Sequence, residues 1–383
     1  MSSLTKNQEN LAKKAIAVYY PTFMGGGAEA VCLWLLEALK NKYNLTLFTV
    51  GEVDFNKLNF MYGTHLSPET VKVKSLVSEN FSFLSYFVIA NNPNIRMIFF
   101  HFLLRYFKAN ISHYDLGISA YNAADLGRKG IQYIHWINAV EGKPFHRRIS
   151  QFSEEQLKSN VSVSNSYLVA DTVKKHYGID SVVVYPPVLI EPSNVSWEEK
   201  ENAFICSGRL TQAKSPDRVI SILRQVRQKG FDIKLYLTGG GGGVYGVKYQ
   251  RFLKKLIREN SDWIRLYENL KYKDYVSLLY QCKYGIHYKK EPFGISIAEM
   301  VKAGAVPFVR SEGGQIEIVG EENSDLLFDN AENAVEKIIN VLSSPEKQEK
   351  LRTSLGERQK RFSTEKFMAD MTQVVDSYFA TGA

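Results

Sequence analysis

A strand, a glycine-rich loop, a helix and a second strand follow one another at the start of the chain, and this unit restricts it to few folds. Residues 16–20 form an apolar run, 21–27 a loop, 28–40 an apolar pattern at helical spacing, and 45–50 a second apolar run. Two strands joined through a helix lie parallel, because a tight hairpin serves only antiparallel neighbours. Short apolar runs at 115–120, 131–135, 161–164 and 182–185 extend the pattern to one open α/β sheet. Pro186-Pro187 and the polar stretch 191–202 read as a linker. A second series follows at 203–207, 233–238, 264–266 and 284–288, and helical patterns at 331–342, 346–361 and 364–379 close the chain. A length of 383 residues also exceeds what one core usually serves. The expected organisation is an N-terminal Rossmann-like domain at 1–190, a C-terminal one at 191–363, and a final helix at 364–383.

Composition narrows the function classes. The three cysteines, Cys32, Cys206 and Cys282, are far apart, lack metal-ligand spacing and read as core thiols of a reducing compartment. Residues 1–14 are polar and the apolar run behind them covers only six residues, 15–20, so no leader is visible and a cytoplasmic protein is expected. A net charge of +8 suits an anionic partner. Its basic residues are spread along the chain with no recognised nucleic-acid module, so nucleic acid is not expected. Residues 81–108 combine Phe81, Phe83, Tyr86, Phe87, Phe99, Phe100, Phe102, Tyr106 and Phe107 with Arg96, Arg105 and Lys108. They read either as core helix of the first domain or as an amphipathic surface resting peripherally on the inner face of a membrane. With no apolar run of 18 residues, they do not span one.

The densest chemistry lies at Glu291-Pro292-Phe293-Gly294-Ile295-Ser296-Ile297-Ala298-Glu299. Pro292 is tolerated where a helix begins, and Gly304 and Pro307 supply stop signals, so a helix is expected over about 294–303. The amides of Phe293, Gly294 and Ile295 would open that helix and favour an anion such as phosphate. Glu299 falls about 6 Å further along the axis, close to the step from a nucleotide diphosphate to its ribose diol. Glu291 lies on the other side of the amides, where a sugar on the diphosphate would be.

Three other places could meet the same ligand. Gly25, Gly26 and Gly27 allow close backbone approach at a helix start, although a tight turn would need them equally. His135 ends a predicted strand, where open α/β sheets bind ligands. Arg209 and Lys214, after the first strand of the second series, are a planar fork and a compact charge suited to a diphosphate.

Glu-Pro-Phe-Gly-Ile-x-x-x-Glu, continued by Ala303-Gly304, Val306-Pro307 and Gly313-Gly314-x-x-Glu317-Ile318-Val319, resembles the carboxylate motif of retaining glycosyltransferases of the GT-B fold, the family 4 or group 1 type. Gly26-Gly27-Ala28-Glu29, His135 and Gly208-Arg209-Leu210-x-x-x-Lys214 fit the same family, with Ser215-Pro216 replacing its usual glycine after the lysine. The resemblance is strong over 203–319 and looser before it. It implies two Rossmann-like domains facing across a cleft, with the final helix returning to the first. It implies a UDP-sugar donor such as UDP-glucose and a saccharide or lipid-linked saccharide acceptor. Residues 264–266 and 269–273 would be the strand and turn near the base. Catalytic roles fall to His135 beside the donor sugar and to Arg209, Lys214 and Glu291; Gly26, Gly27, Phe293, Gly294, Ile295 and Glu299 would bind the donor. Reaction by front-face attack, with the leaving phosphate as base, would retain configuration. No Asp-x-Asp motif occurs, so no metal or other cofactor is expected.

Alternatives are a nucleotide-sugar epimerase or phosphorylase of the same fold, a non-catalytic sugar-nucleotide binder, a glycosidase using Glu291 and Glu299, and a nicotinamide oxidoreductase. The last rests on Gly241-x-Gly243-x-x-Gly246, which satisfies a dinucleotide fingerprint without its usual strand order.

Overall fold

A computed structural model describes residues 13–78, 88–140, 142–240 and 247–381. Phe81, Phe83, Tyr86, Phe87, Gly241, Gly243 and Gly246 lie outside the described residues. The chain divides into two units, the first comprising 1–164, 172–184 and 367–383, the second 165–171 and 185–366.

The first unit is built on a sheet of β1 (Ala15–Tyr19), β2 (Asn44–Thr49), β3 (Val71–Ser75), β4 (Leu116–Ser119), β5 (Ile131–Ile134), β6 (Val161–Ser164) and β7 (Ser181–Val183). Its strands run in the order β3-β2-β1-β4-β5-β6-β7, all parallel. Central strands are apolar on both faces, as Ile16, Ala17 and Val18 show with no exposure, because helices cover both sides. β3 was absent from the sequence expectation. It reads Val-Lys-Val-Lys-Ser and is an edge strand, where alternating lysines discourage further pairing. In the last helix, Phe367, Met371, Val375 and Tyr378 recur at helical spacing and bury into this unit's core.

The second unit's sheet contains β8 (Glu201–Ser207), β9 (Lys234–Gly239), β10 (Ile264–Glu268), β11 (Cys282–His287), β12 (Val306–Arg310) and β13 (Leu327–Phe328). The order is β10-β9-β8-β11-β12-β13, again all parallel. The two-residue β13 carries no periodicity to read. β9 follows β8, so the glycines after it do not sit behind the unit's first strand, where a dinucleotide fingerprint belongs.

In each sheet the strand order reverses beside the first strand, between β1 and β4 and between β8 and β11. Loops leaving the carboxyl ends of such a pair diverge and open a ligand crevice. The chain places 20–26 and 120–122 there in the first unit, and 208–214 and 288–294 in the second. Among the described residues no helix is long and apolar enough to cross a membrane.

Candidate functional site

The second unit collects most of the expected residues at the β8/β11 reversal. The helix α10 (Ile295–Lys302) opens at Gly294, whose left-handed φ of 111° only glycine adopts easily. Ile297 and Ala298 donate their amides to Gly294 O at 2.9 and 3.2 Å. The amides of Phe293, Gly294, Ile295 and Ser296 have no protein acceptor among the described residues, leaving α10 an uncapped positive end. The Phe293 side chain is buried against Tyr185 and Phe362, so only its backbone is available to a ligand.

The loop before α10 is clamped from below. Gly314 N donates to Glu291 O at 2.8 Å, the fully buried Gln315 accepts from Glu291 N at 2.9 Å, and Ser166 Oγ donates to Pro292 O at 2.7 Å. A side chain on Gly314 would put its Cβ 2.0 Å from Pro292 O, which explains the Gly313-Gly314 pair. Glu317 accepts the amides of Tyr167 and Leu168, both at 2.9 Å, and the Tyr185 hydroxyl at 3.2 Å. The quoted motif therefore holds this loop in shape.

Glu291 is ion-paired to Lys214 and accepts from His287 Nε2 at 3.0 Å. Burial alone would raise its pKa, but the His287 hydrogen bond and the Lys214 charge outweigh it and hold the carboxyl at about 2. Glu291 thus stays ionised at any working pH. Lys214, expected on the diphosphate, is here engaged by Glu291. Its neighbour Ser215 is left-handed at φ 52°, the conformation that a glycine at this point would adopt without strain.

Glu299, one turn into α10, has a different environment. Burial pushes its carboxyl up to about 7, although a Tyr275 hydroxyl donating to Oε2 at 2.9 Å works against the rise. The Tyr272 hydroxyl is buried with no protein partner among the described residues and feels the Glu299 charge. Arg209, just after β8, is exposed with no protein partner among the described residues. The expected turn at 269–273 runs into the helix α9 (Tyr272–Gln281), which carries Tyr272 and Tyr275.

His135, Gly26 and Gly27 belong to the first unit. His135 is buried after β5, with Nε2 2.9 Å from Ala120 O. A carbonyl only accepts, so Nε2 carries the proton. Burial lowers the pKa of this ring to about 4 despite that hydrogen bond, which keeps it neutral. Gly25 and Gly26 have φ of 90° and 142°, and Cβ atoms there would meet nothing within 4 Å, so the requirement is conformational. Glu29 accepts from Gly25 N, and Tyr62 Oη lies 2.9 Å from Glu29 Oε2 and 3.2 Å from Gly26 N, pinning the loop.

His287, Gln315, Tyr275 and Tyr62 were not singled out from the sequence. His287 precedes Glu291 by four residues, but across a strand end that spacing signals no contact; the others meet their partners only through the fold.

The family model for Glycosyl transferases group 1 matches residues 190–360. Over those residues, all within the second unit, the chain is similar to the group 1 glycosyl transferases. The matched residues contain Arg209, Lys214, His287, Glu291 and Glu299. A curated relative, the GDP-Man:Man(3)GlcNAc(2)-PP-Dol alpha-1,2-mannosyltransferase of Dictyostelium discoideum, is 24% identical over 215 residues, 52% of this chain, and the match spans 43% of that relative's length. A crystal structure of Anabaena HepE in complex with UDP and glucose covers 95% of this chain and 100% of its own, with TM-score 0.68 and 15% identity. Sucrose-phosphate synthase from Thermosynechococcus elongatus covers 96% of this chain and 100% of its own, with TM-score 0.67 and 16% identity. Likenesses at such identities establish the fold. Among the described residues no group of three or more His, Cys, Asp or Glu side chains is placed to hold a metal ion.

Proposed function

We propose that the protein is a retaining glycosyltransferase that moves a hexosyl residue from a UDP-sugar to a saccharide or lipid-linked saccharide acceptor, without a metal. The observation that carries this reading is the uncapped start of α10 between two differently tuned carboxylates, Glu291 held near 2 and Glu299 near 7. The four open amides and Arg209 receive the diphosphate. Glu299 accepts from the ribose diol. Glu291, ionised and oriented by His287 and Lys214, accepts from hydroxyls of the transferred sugar.

As the bond between the anomeric carbon and the diphosphate oxygen breaks, charge grows on that oxygen. Donors already aimed at it then stabilise the transition state more than the bound donor. The acceptor oxygen bonds to the anomeric carbon on the same face, and its proton passes to the departing phosphate. A neutral His135 suits a hydrogen-bonding role toward the sugar, and Gly26 and Gly27 an approach to the diphosphate; both roles stand as part of this proposal.

A GDP donor is the second reading, favoured by the name of the mannosyltransferase relative, whereas the Anabaena protein was solved with UDP. Calorimetric titration with UDP, GDP and ADP, followed by donor-consumption assays with the matching sugars, tests both. UDP binding tighter than GDP, with Glu291→Gln weakening the UDP-sugar but not UDP, is the expected result. No nucleotide binding would refute the proposal, and donor turnover without acceptor, or only with free phosphate, would transfer it to the epimerase or phosphorylase class.

A further inference from the structure

The strongest feature outside this site lies on the first unit, where the helices α3 (Pro93–Asn110) and α4 (Pro144–Ile149) pack together. Their contact includes His101 and His146, both buried, with ring centroids 6.0 Å apart and planes 16° apart. Phe100, Leu103, Leu104 and Phe107 of α3 turn into the core and Phe99 and Tyr106 pack against it, so four of the five aromatics of this helix have the structural role that the sequence also allowed. Two do not share that burial. Phe102, next to His101, is 46% exposed, and Phe145, next to His146, is 61% exposed.

An exposed arginine stands one helical turn beyond each, Arg105 after Phe102 and Arg148 after Phe145, and Lys143 is exposed at the start of α4. The chain holds no Asp or Glu from 80 to 114 or from 142 to 153. Of the acids packed nearby, Asp125 has a fully buried side chain bonded to Lys108, while Glu154 pairs with Lys158 and faces Arg147. Two phenylalanines and three cations that pair with no acid among the described residues thus share a pair of packed helices.

We propose that this α3–α4 face docks on an anionic lipid bilayer, with Phe102 and Phe145 entering the headgroup boundary and Arg105, Lys143 and Arg148 meeting lipid phosphates. Charge complementarity selects that occupant. A second copy of the same face would bring its arginines against their own equivalents, since a two-fold contact pairs a surface with itself. Aromatic side chains favour the membrane interface, and basic residues beside them add attraction to anionic headgroups that salt screens. α4 follows β5, whose carboxyl end leads into His135, so docking would hold this end of the first sheet near a lipid-linked acceptor. The docking itself does not depend on the donor chemistry.

Flotation of the full chain with vesicles of neutral phosphatidylcholine, with and without phosphatidylglycerol, tests it in the absence of nucleotide. Binding should require the anionic lipid and weaken in 0.5 M salt. Arg105→Glu with Arg148→Glu should lower partitioning by at least about 25-fold, from about fivefold for each cation removed. Phe102→Ser with Phe145→Ser should lower it by about tenfold or more. Melting temperature and nucleotide binding should stay at wild-type values; if a double variant melts early, Phe145→Ser and Arg148→Glu alone on the short α4 carry the comparison. Absence of binding, equal binding to neutral vesicles, wild-type partitioning of the altered proteins, or self-association that Phe102→Ser with Phe145→Ser dissolves would each overturn the proposal.

Discussion

On the role proposed for Glu299, donor binding should depend on pH, because a carboxylate that accepts from a ribose diol must first lose its proton. In the unliganded protein, burial sets this pKa at about 7. About one tenth of the protein is then ionised at pH 6 and nine tenths at pH 8, so affinity should rise about tenfold between them, about 1.4 kcal/mol. A UDP-sugar is the proper probe, since its diphosphate is esterified at both ends and does not titrate in this range. Glu299→Gln should bind more weakly and lose the slope. Tyr275→Phe removes the hydrogen bond that restrains the rise and should move the midpoint to higher pH. Stability should run the other way. The folded carboxyl keeps its proton above the usual 4.5, so the unliganded protein loses stability as pH rises from there to about 7. Glu299→Gln, uncharged throughout, should therefore melt above the wild type at pH 8 and close to it near pH 5. Isothermal titration and thermal melts measure both quantities. Equal affinity at pH 6 and 8, or an unchanged slope in Glu299→Gln, would refute the reasoning.

The two cations of the candidate site should separate by stability. Arg209→Ala, at an exposed side chain with no protein partner among the described residues, should leave stability within about 0.5 kcal/mol yet lower turnover roughly a hundredfold, whereas Lys214→Ala leaves the Glu291 carboxylate to His287 alone and should also cost about 1–3 kcal/mol in urea unfolding. Ser215→Gly should relieve the left-handed φ and leave the protein about 0.5–1 kcal/mol more stable, read by the same unfolding curves; a loss of stability would show that the Ser215 hydroxyl bond to Gln212 O outweighs the strain.

Residues 16–20, 131–135 and 203–207 announced their strands because a parallel strand covered on both faces is apolar at nearly every position, a local property of the sequence. The helix start at Pro292-Phe293-Gly294 was equally legible, since proline and glycine act through their own backbone limits. β3, with lysine at every second position, and the two-residue β13 were not, because each is a strand only through the neighbour it pairs with.

The same division runs through the candidate site. Local sequence determined which groups could meet a phosphate, a ribose and a sugar: Arg209, Lys214, Glu291, Glu299 and the amides between. Only tertiary structure decided their states. Lys214, far away in sequence, and His287, four residues upstream across a strand end, make Glu291 a permanent anion, and burial makes Glu299 a carboxyl poised near neutrality although Tyr275 donates to it. Charge and desolvation depend on what lies within a few ångströms, and for these residues that is chain from other strands and helices.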